Sequence, residues 1–157
     1  SVLDGDTLLY LLTEQEQAQR YADRTGDRAP LHCTAGGKLL LAHAPTHRRE
    51  KLLSGMALEK FTEFTITDAA VLADALPRIV AAGYAVSDRE EYLRVVGVAA
   101  PVRDMQGRVV AALSMWGLHA PAGQPQVTDR IAGLLQAAER ISERMGWSGQ
   151  TPGPGGA

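Results

Sequence analysis

Residues 94–103 and 108–116 are two runs of small and β-branched residues, separated by the stretch DMQG at positions 104–107. This composition favours β-strands, and an Asp and a Gly in a short connection favour a hairpin turn. An isolated hairpin is barely stable in water, so other elements must cover at least one of its faces. The two runs therefore predict an antiparallel sheet with helices packed on it.

Several other stretches carry helix signals. Residues 34–44 begin with Thr34 as a candidate N-cap and stop at a proline, and residues 46–54 predict a second short helix. Residues 67–82 precede Gly83, and residues 129–145 place apolar side chains on one helical face. A strand is predicted at residues 6–13, and residues 14–21 continue as a strand or as a helix. The order of elements predicts an α+β fold.

Length and charge exclude several classes. A chain of 157 residues predicts one domain, and 16 basic against 18 acidic residues do not suggest a nucleic-acid-binding surface. No apolar run approaches the roughly 20 residues that cross a membrane, and no secretory signal is visible. A single cysteine fits a reducing, cytoplasmic location. We expect a domain at residues 1–147 and a disordered Gly/Pro-rich tail at residues 148–157. The first residues resemble the interior of a domain, which suggests a fragment of a longer protein.

A glycine-rich helix start stands at residues 30–42, PLHCTAGGKLLLA. Thr34 can cap the helix, and small residues at Ala35, Gly36 and Gly37 leave backbone N–H groups uncovered. Uncovered N–H groups at the positive end of a helix attract small anions such as carboxylates. The alternative is a tight turn whose glycines serve backbone geometry alone.

The alternation of side chains in the hairpin gathers an unusual set of residues. Val95 and Gly97 share one face of the first strand, and Ser114 and Trp116 share one face of the second. If the two faces coincide, a gap at Gly97, a hydroxyl and a large ring lie together. This set suits a ligand pocket, but a helix packed closely over Gly97 would also explain it.

Other chemistry has weaker support. His32 and Cys33 are adjacent and point to opposite sides of an extended chain, and a proline separates His43 from His47. We can assemble neither a metal site nor a catalytic constellation from these residues, and a Cys33–His nucleophilic pair stays an alternative to a simply buried cysteine. We expect no enzymatic activity and no cofactor.

Three segments together resemble the effector-binding domain of the IclR family of bacterial transcription regulators. They are residues 30–42, residues 83–92 (GYAVSDREEY) and residues 98–114 (VAAPVRDMQGRVVAALS). The resemblance extends over roughly residues 4–146 and implies a GAF-like, profilin-like antiparallel sheet. It also implies binding of a small carboxylate or aromatic acid, assembly into homodimers or homotetramers, and DNA contact only through an N-terminal winged helix-turn-helix absent from this chain. The alternative function is an oligomerisation module without a functional pocket.

The resemblance also assigns pocket positions. The N–H groups of the helix start would meet the effector's carboxylate, the second segment would supply an acid, and the strands would supply walls. The positions implied in this chain are Ala35, Gly36, Asp88, Val95, Gly97, Ser114, Trp116 and Tyr21. Gly97 stands where the family commonly has cysteine, and Trp116 stands where it commonly has serine. Trp116 therefore either fills the space over Gly97 or stacks on a flat effector.

Overall fold

A computed structural model describes residues 1–14 and 23–149 of the chain. Its elements follow one another in an order that mixes short strands with helices, as the α+β expectation requires. They are β1 (Val2–Asp4), β2 (Thr7–Leu9), β3 (Arg28–Pro30), α1 (Ala35–His43), α2 (Thr46–Gly55), α3 (Ala69–Ala82), β4 (Ala85–Asp88), β5 (Val95–Arg103), β6 (Val109–Leu118), a 3₁₀ turn (Val127–Arg130) and α4 (Ile131–Arg144).

The strands form two antiparallel sheets of three strands each, in the orders β1-β2-β3 and β4-β5-β6. The backbone N–H of Ala112 on β6 donates to the carbonyl of Ser1 at 2.8 Å, which joins the two sheets at one point. The sequence predicts one sheet, and this detail is wrong because the strands divide into two sheets. The antiparallel arrangement and the α+β class are confirmed.

Helix α1 lies at the centre of the domain. Every residue from Ala35 to Ala42 is buried, as befits a helix that is covered on all sides. Leu39 and Leu40 pack with the sheets, whereas Leu41 and Ala42 pack with Leu72 and Leu76 of α3. Helix α4 covers the other face of β5 through Leu134 and Ala138. The layers are therefore α4, sheet, α1 and α3.

The ends of the helices follow local chemistry. The N–H of Gly37 donates to the hydroxyl of Thr34, which confirms the predicted cap of α1. Gly83 ends α3 with φ 77°, in the left-handed conformation that glycine adopts without strain. The first predicted strand, residues 6–13, is shorter in the structure and forms a hairpin with β1. Most of residues 14–21, and residues 150–157 of the predicted tail, lie outside the described part of the chain.

Among the described residues, no helix combines the length and the apolar character that crossing a membrane requires.

The folded domain should lose stability in acid because of His43, the last residue of α1. Burial, with a smaller contribution from the nearby Arg103 guanidinium, lowers the pKa of His43 from 6.5 to about 4. Below pH 6.5 the unfolded chain binds a proton that the folded domain does not bind until about pH 4. The free energy of unfolding should therefore fall by about 1–3 kcal/mol across this window.

Urea titrations at several pH values would measure this loss. His43→Gln should flatten the profile between pH 6.5 and 4, whereas His47→Gln, at an exposed position on α2, should leave it unchanged. A His43→Gln profile that runs parallel to the wild type would show that other groups cause the acid sensitivity.

Candidate functional site

Two backbone N–H groups at the start of α1 have no acceptor among the described residues. The N–H of Gly37 donates to the hydroxyl of Thr34 at 3.2 Å, and the N–H of Lys38 donates to the Thr34 carbonyl at 3.0 Å. Within residues 1–14 and 23–149, no acceptor pairs with the N–H of Ala35 or of Gly36. These are the orphan donors that the first turn of any α-helix leaves, and they lie at its positive end.

The hairpin supplies a floor beneath these donors. Across β5 and β6, Gly97 pairs with Trp116 and Ala99 pairs with Ser114, so the predicted faces coincide. A Cβ built on Gly97 would lie 3.6 Å from the Cβ of Ala35, which shows that this face lies against the start of α1. The alternation in the sequence therefore predicts the juxtaposition correctly.

Ser114 brings an unpaired hydroxyl to the same place. A Cβ built on Gly36 would lie 3.0 Å from Ser114 Oγ, so the hydroxyl lies directly against the first turn of the helix. Ser114 Oγ is buried and has no hydrogen-bond partner among the described residues. A buried hydroxyl without a partner carries an energetic cost that a bound polar group would remove.

A cavity of about 700 Å³ opens between the helix start and the hairpin. Six of the eight positions implied by the resemblance line it: Ala35, Gly36, Val95, Gly97, Ser114 and Trp116. Trp116 therefore forms a wall and does not fill the space beside Gly97. Tyr21 lies outside the described residues.

Asp88 does not line this cavity, so its predicted position is corrected. On β4, Ser87 points towards α1 and donates to the carbonyl of Cys33 at 2.6 Å. Because side chains alternate along a strand, Asp88 points to the opposite face. There its half-exposed carboxylate pairs with Arg89, with an Nε–Oδ1 distance of 2.9 Å.

Glu91, Arg24 and Tyr10 line the cavity instead, and the sequence analysis did not single them out. Arg24 donates two bonds to Glu91, from Nη2 to Oε1 at 3.2 Å and from Nη1 to Oε2 at 3.3 Å. Its guanidinium also lies over the Tyr10 ring, 4.5 Å from the centroid, and Nη1 donates to the Tyr10 hydroxyl at 3.3 Å. The only available signal was that Glu91 belongs to the same acidic run as Asp88.

Tyr10 stays neutral in this arrangement. Burial raises the pKa of its phenol to about 12, and the Arg24 charge offsets only part of that effect. The hydroxyl therefore retains its hydrogen at physiological pH. The cavity wall thus combines an aromatic ring, a phenol and an ion pair.

A second cavity, of about 620 Å³, adjoins the first along β6. Six residues line both cavities and therefore lie at their boundary: Tyr10, Arg24, Ser114, Met115, Trp116 and Leu118. The first cavity is the one that contains Ala35 and Gly36.

Cys33 and His32, two of the residues considered for other chemistry, are buried. Burial raises the pKa of the Cys33 thiol to about 12, which opposes its use as a nucleophile. His32 Nε2 lies 2.9 Å from the carbonyl of Glu59. No group of three or more potential metal ligands occurs in the described parts of the chain.

Known proteins resemble this chain along almost its whole length. The family model described as "Bacterial transcriptional regulator IclR C-terminal" matches residues 1–143. The HTH-type transcriptional regulator BhcR of Paracoccus denitrificans is 33% identical over 145 residues, which cover 92% of this chain and 52% of BhcR. The chain spans about half the length of the curated relatives that it matches.

Solved structures agree with the sequence relatives. Thermotoga maritima IclR is 31% identical with a TM-score of 0.82, covering 93% of this chain and 60% of that one. An IclR homolog from Microbacterium hydrocarbonoxydans, crystallised with 4-hydroxybenzoate, is 30% identical with a TM-score of 0.79, covering 92% of this chain and 58% of that one. Fold, sequence and extent of match agree: the chain belongs to the IclR family of bacterial transcriptional regulators and corresponds to its C-terminal domain.

Proposed function

We propose that this domain binds a small organic acid and acts as the effector sensor of a transcription regulator. The observation that carries the proposal is the convergence of the Ala35 and Gly36 N–H groups with the unpaired Ser114 hydroxyl at one cavity. These are neutral donors at a positive helix end, and a carboxylate is the organic group that would satisfy them together.

The remaining walls suit the body of such an acid. Trp116 and Tyr10 offer aromatic surface, and Val95 adds an apolar side chain. A concave cavity of this size, whose walls expose more apolar than polar surface, is typical of a small-molecule site. The complex of the Microbacterium homolog with 4-hydroxybenzoate supports an aromatic acid as one candidate.

In the whole regulator, the effector would act by shifting an equilibrium. A ligand that binds one arrangement of the subunits more tightly than another shifts the regulator towards that arrangement, and the affinity for DNA changes with it. The size of the shift is set by the difference between the ligand's affinities for the two arrangements. In this proposal residues 1–147 form the sensor, and an N-terminal helix-turn-helix domain contacts DNA. The regulator assembles as a homodimer or homotetramer in the cytoplasm. The domain binds its effector without catalytic turnover.

The alternative, an oligomerisation module with a filled core, requires a different packing around Gly97. In that case Trp116 would occupy the space between the hairpin and α1. The cavity that Trp116 and Gly97 both line supports the sensor instead.

Calorimetric titration with aliphatic and aromatic carboxylates tests the proposal. At least one acid should show saturable binding, and Ser114→Ala should weaken it by about tenfold because one hydrogen bond to the carboxylate is lost. Ser54→Ala, at an exposed position on α2, should leave the affinity unchanged. A broad panel without a binder would contradict the proposal, as would wild-type affinity in Ser114→Ala.

A further inference from the structure

The charges that line the cavity fall into two groups. Arg24 and Glu91 are mostly buried, with side chains 21% and 16% exposed, and they neutralise each other. Asp27 and Arg94 also line the cavity, but both are exposed to solvent, which screens their charges. Inside the described cavity wall, therefore, no buried cation is left uncompensated.

Because Arg24 and Glu91 neutralise each other, the two ends of a bound acid meet different surroundings. At the helix start, a carboxylate meets the neutral donors of Ala35, Gly36 and Ser114. At the ion pair, a second carboxylate would meet the Glu91 carboxylate, while the matching Arg24 charge is already in use. Because the described part of the wall offers no free counter-ion, a like charge brought to this place is strongly disfavoured.

A hydroxyl group meets the opposite situation. Each Glu91 oxygen accepts one bond from Arg24, and a carboxylate oxygen has capacity for a second. A ligand hydroxyl could donate to Glu91, and the neutral Tyr10 phenol offers a further polar partner.

The carboxylate of Glu91 is held on a rigid part of the wall. The preceding residue, Glu90, forms a buried ion pair with Lys38 of α1. The hydroxyl of Thr65 donates to the Glu90 carbonyl at 2.7 Å, and that of Thr62 donates to the Arg89 carbonyl at 2.7 Å. Because these contacts fix the backbone on the N-terminal side of Glu91, the charge pattern is preorganised and not adapted to each ligand.

We propose that the Arg24–Glu91 ion pair selects monocarboxylates that carry a hydroxyl at the end remote from the carboxylate, and rejects dicarboxylates. This inference rests on the proposed function and goes beyond it, because it assigns the ligand class to a particular pair of residues.

Two matched series of acids test the selectivity in the wild-type domain. Hexanoate, 6-hydroxyhexanoate and adipate differ only at the remote end, as do benzoate, 4-hydroxybenzoate and terephthalate. In whichever series fits the cavity, the hydroxy acid should bind at least about tenfold more tightly than the diacid. Equal affinities for the hydroxy acid and the diacid would overturn the inference while leaving the proposed function intact. Absence of binding by every acid would overturn both.

Glu91→Gln tests the assignment to the ion pair. The substitution leaves the Arg24 charge uncompensated, so diacid affinity should rise by about tenfold, and most of the preference for the hydroxy acid should be lost. Glu50→Gln, at an exposed position on α2, should keep the wild-type order. Wild-type selectivity in Glu91→Gln would overturn the assignment. The wild-type series decides the inference independently, even if the Glu91→Gln domain does not fold.

Discussion

Gly37→Ala is expected to destabilise the domain by about 3 kcal/mol or more. A Cβ at this position would lie 2.6 Å from both the Cα and the carbonyl oxygen of Leu31, and 2.5 Å from Thr34 Oγ1. The first two atoms belong to the backbone of a buried segment, so no side-chain rotation can relieve the contact. The loss should exceed the gain of about 1 kcal/mol that alanine brings to a helix interior.

Gly133→Ala is the matched control for this substitution. Gly133 also lies within an α-helix, but a Cβ there would have no neighbour within 4 Å. The change should therefore stabilise the domain by about 0.5–1 kcal/mol through helix propensity alone. Urea unfolding of both variants would measure the contrast. A Gly37→Ala variant as stable as the wild type would show that residues 31–34 can move away without cost.

Much of the site could be predicted from the sequence because it depends on short-range rules. The cap at Thr34 and the orphan N–H groups of Ala35 and Gly36 follow from how an α-helix begins. The meeting of Gly97 with Trp116 follows from the alternation of side chains and a short hairpin connection. The resemblance to the IclR family pointed to these same positions.

The acid of the pocket could not be predicted in the same way. Strand β4 ends at Asp88, and Arg89 adopts φ 59° as the chain turns back towards β5. Beyond such a turn, strand alternation no longer tells which of the acids at positions 88, 90 and 91 faces the cavity. The partner of Glu91 is Arg24, 67 residues earlier, and no local pattern connects them.

Lys38→Met is expected to destabilise the domain by about 3–5 kcal/mol, because it leaves a buried carboxylate without its counter-ion. The side chains of Lys38 and Glu90 are only 6% and 9% exposed, and Glu90 Oε2 has no partner among the described residues. Arg28→Met is the control. Arg28 pairs with Asp4 at the surface, with side chains 59% and 45% exposed, so its loss should change stability by less than about 1 kcal/mol.

The double variant Lys38→Met/Glu90→Met separates the cost of an unpaired charge from the value of the pair. Replacing both charges with apolar groups removes the desolvation penalty, so the double variant should regain most of the stability lost in Lys38→Met. If the double variant stays as unstable as Lys38→Met, packing around position 38 and not the lost counter-ion causes the effect.

The pH dependence of the free energy of unfolding tests the same explanation independently. Burial raises the pKa of Glu90, and the attraction of Lys38 compensates only in part. When folding raises the pKa of a carboxyl group, the free energy of unfolding is lowered at pH values above that pKa. This loss of stability disappears as the pH falls and the group becomes protonated in the folded domain. Without Lys38 the pKa of Glu90 should rise further, so the stability deficit of Lys38→Met should narrow from pH 8 towards pH 5 in urea titrations. A deficit that is constant over this range would contradict an unpaired Glu90 carboxylate as its source.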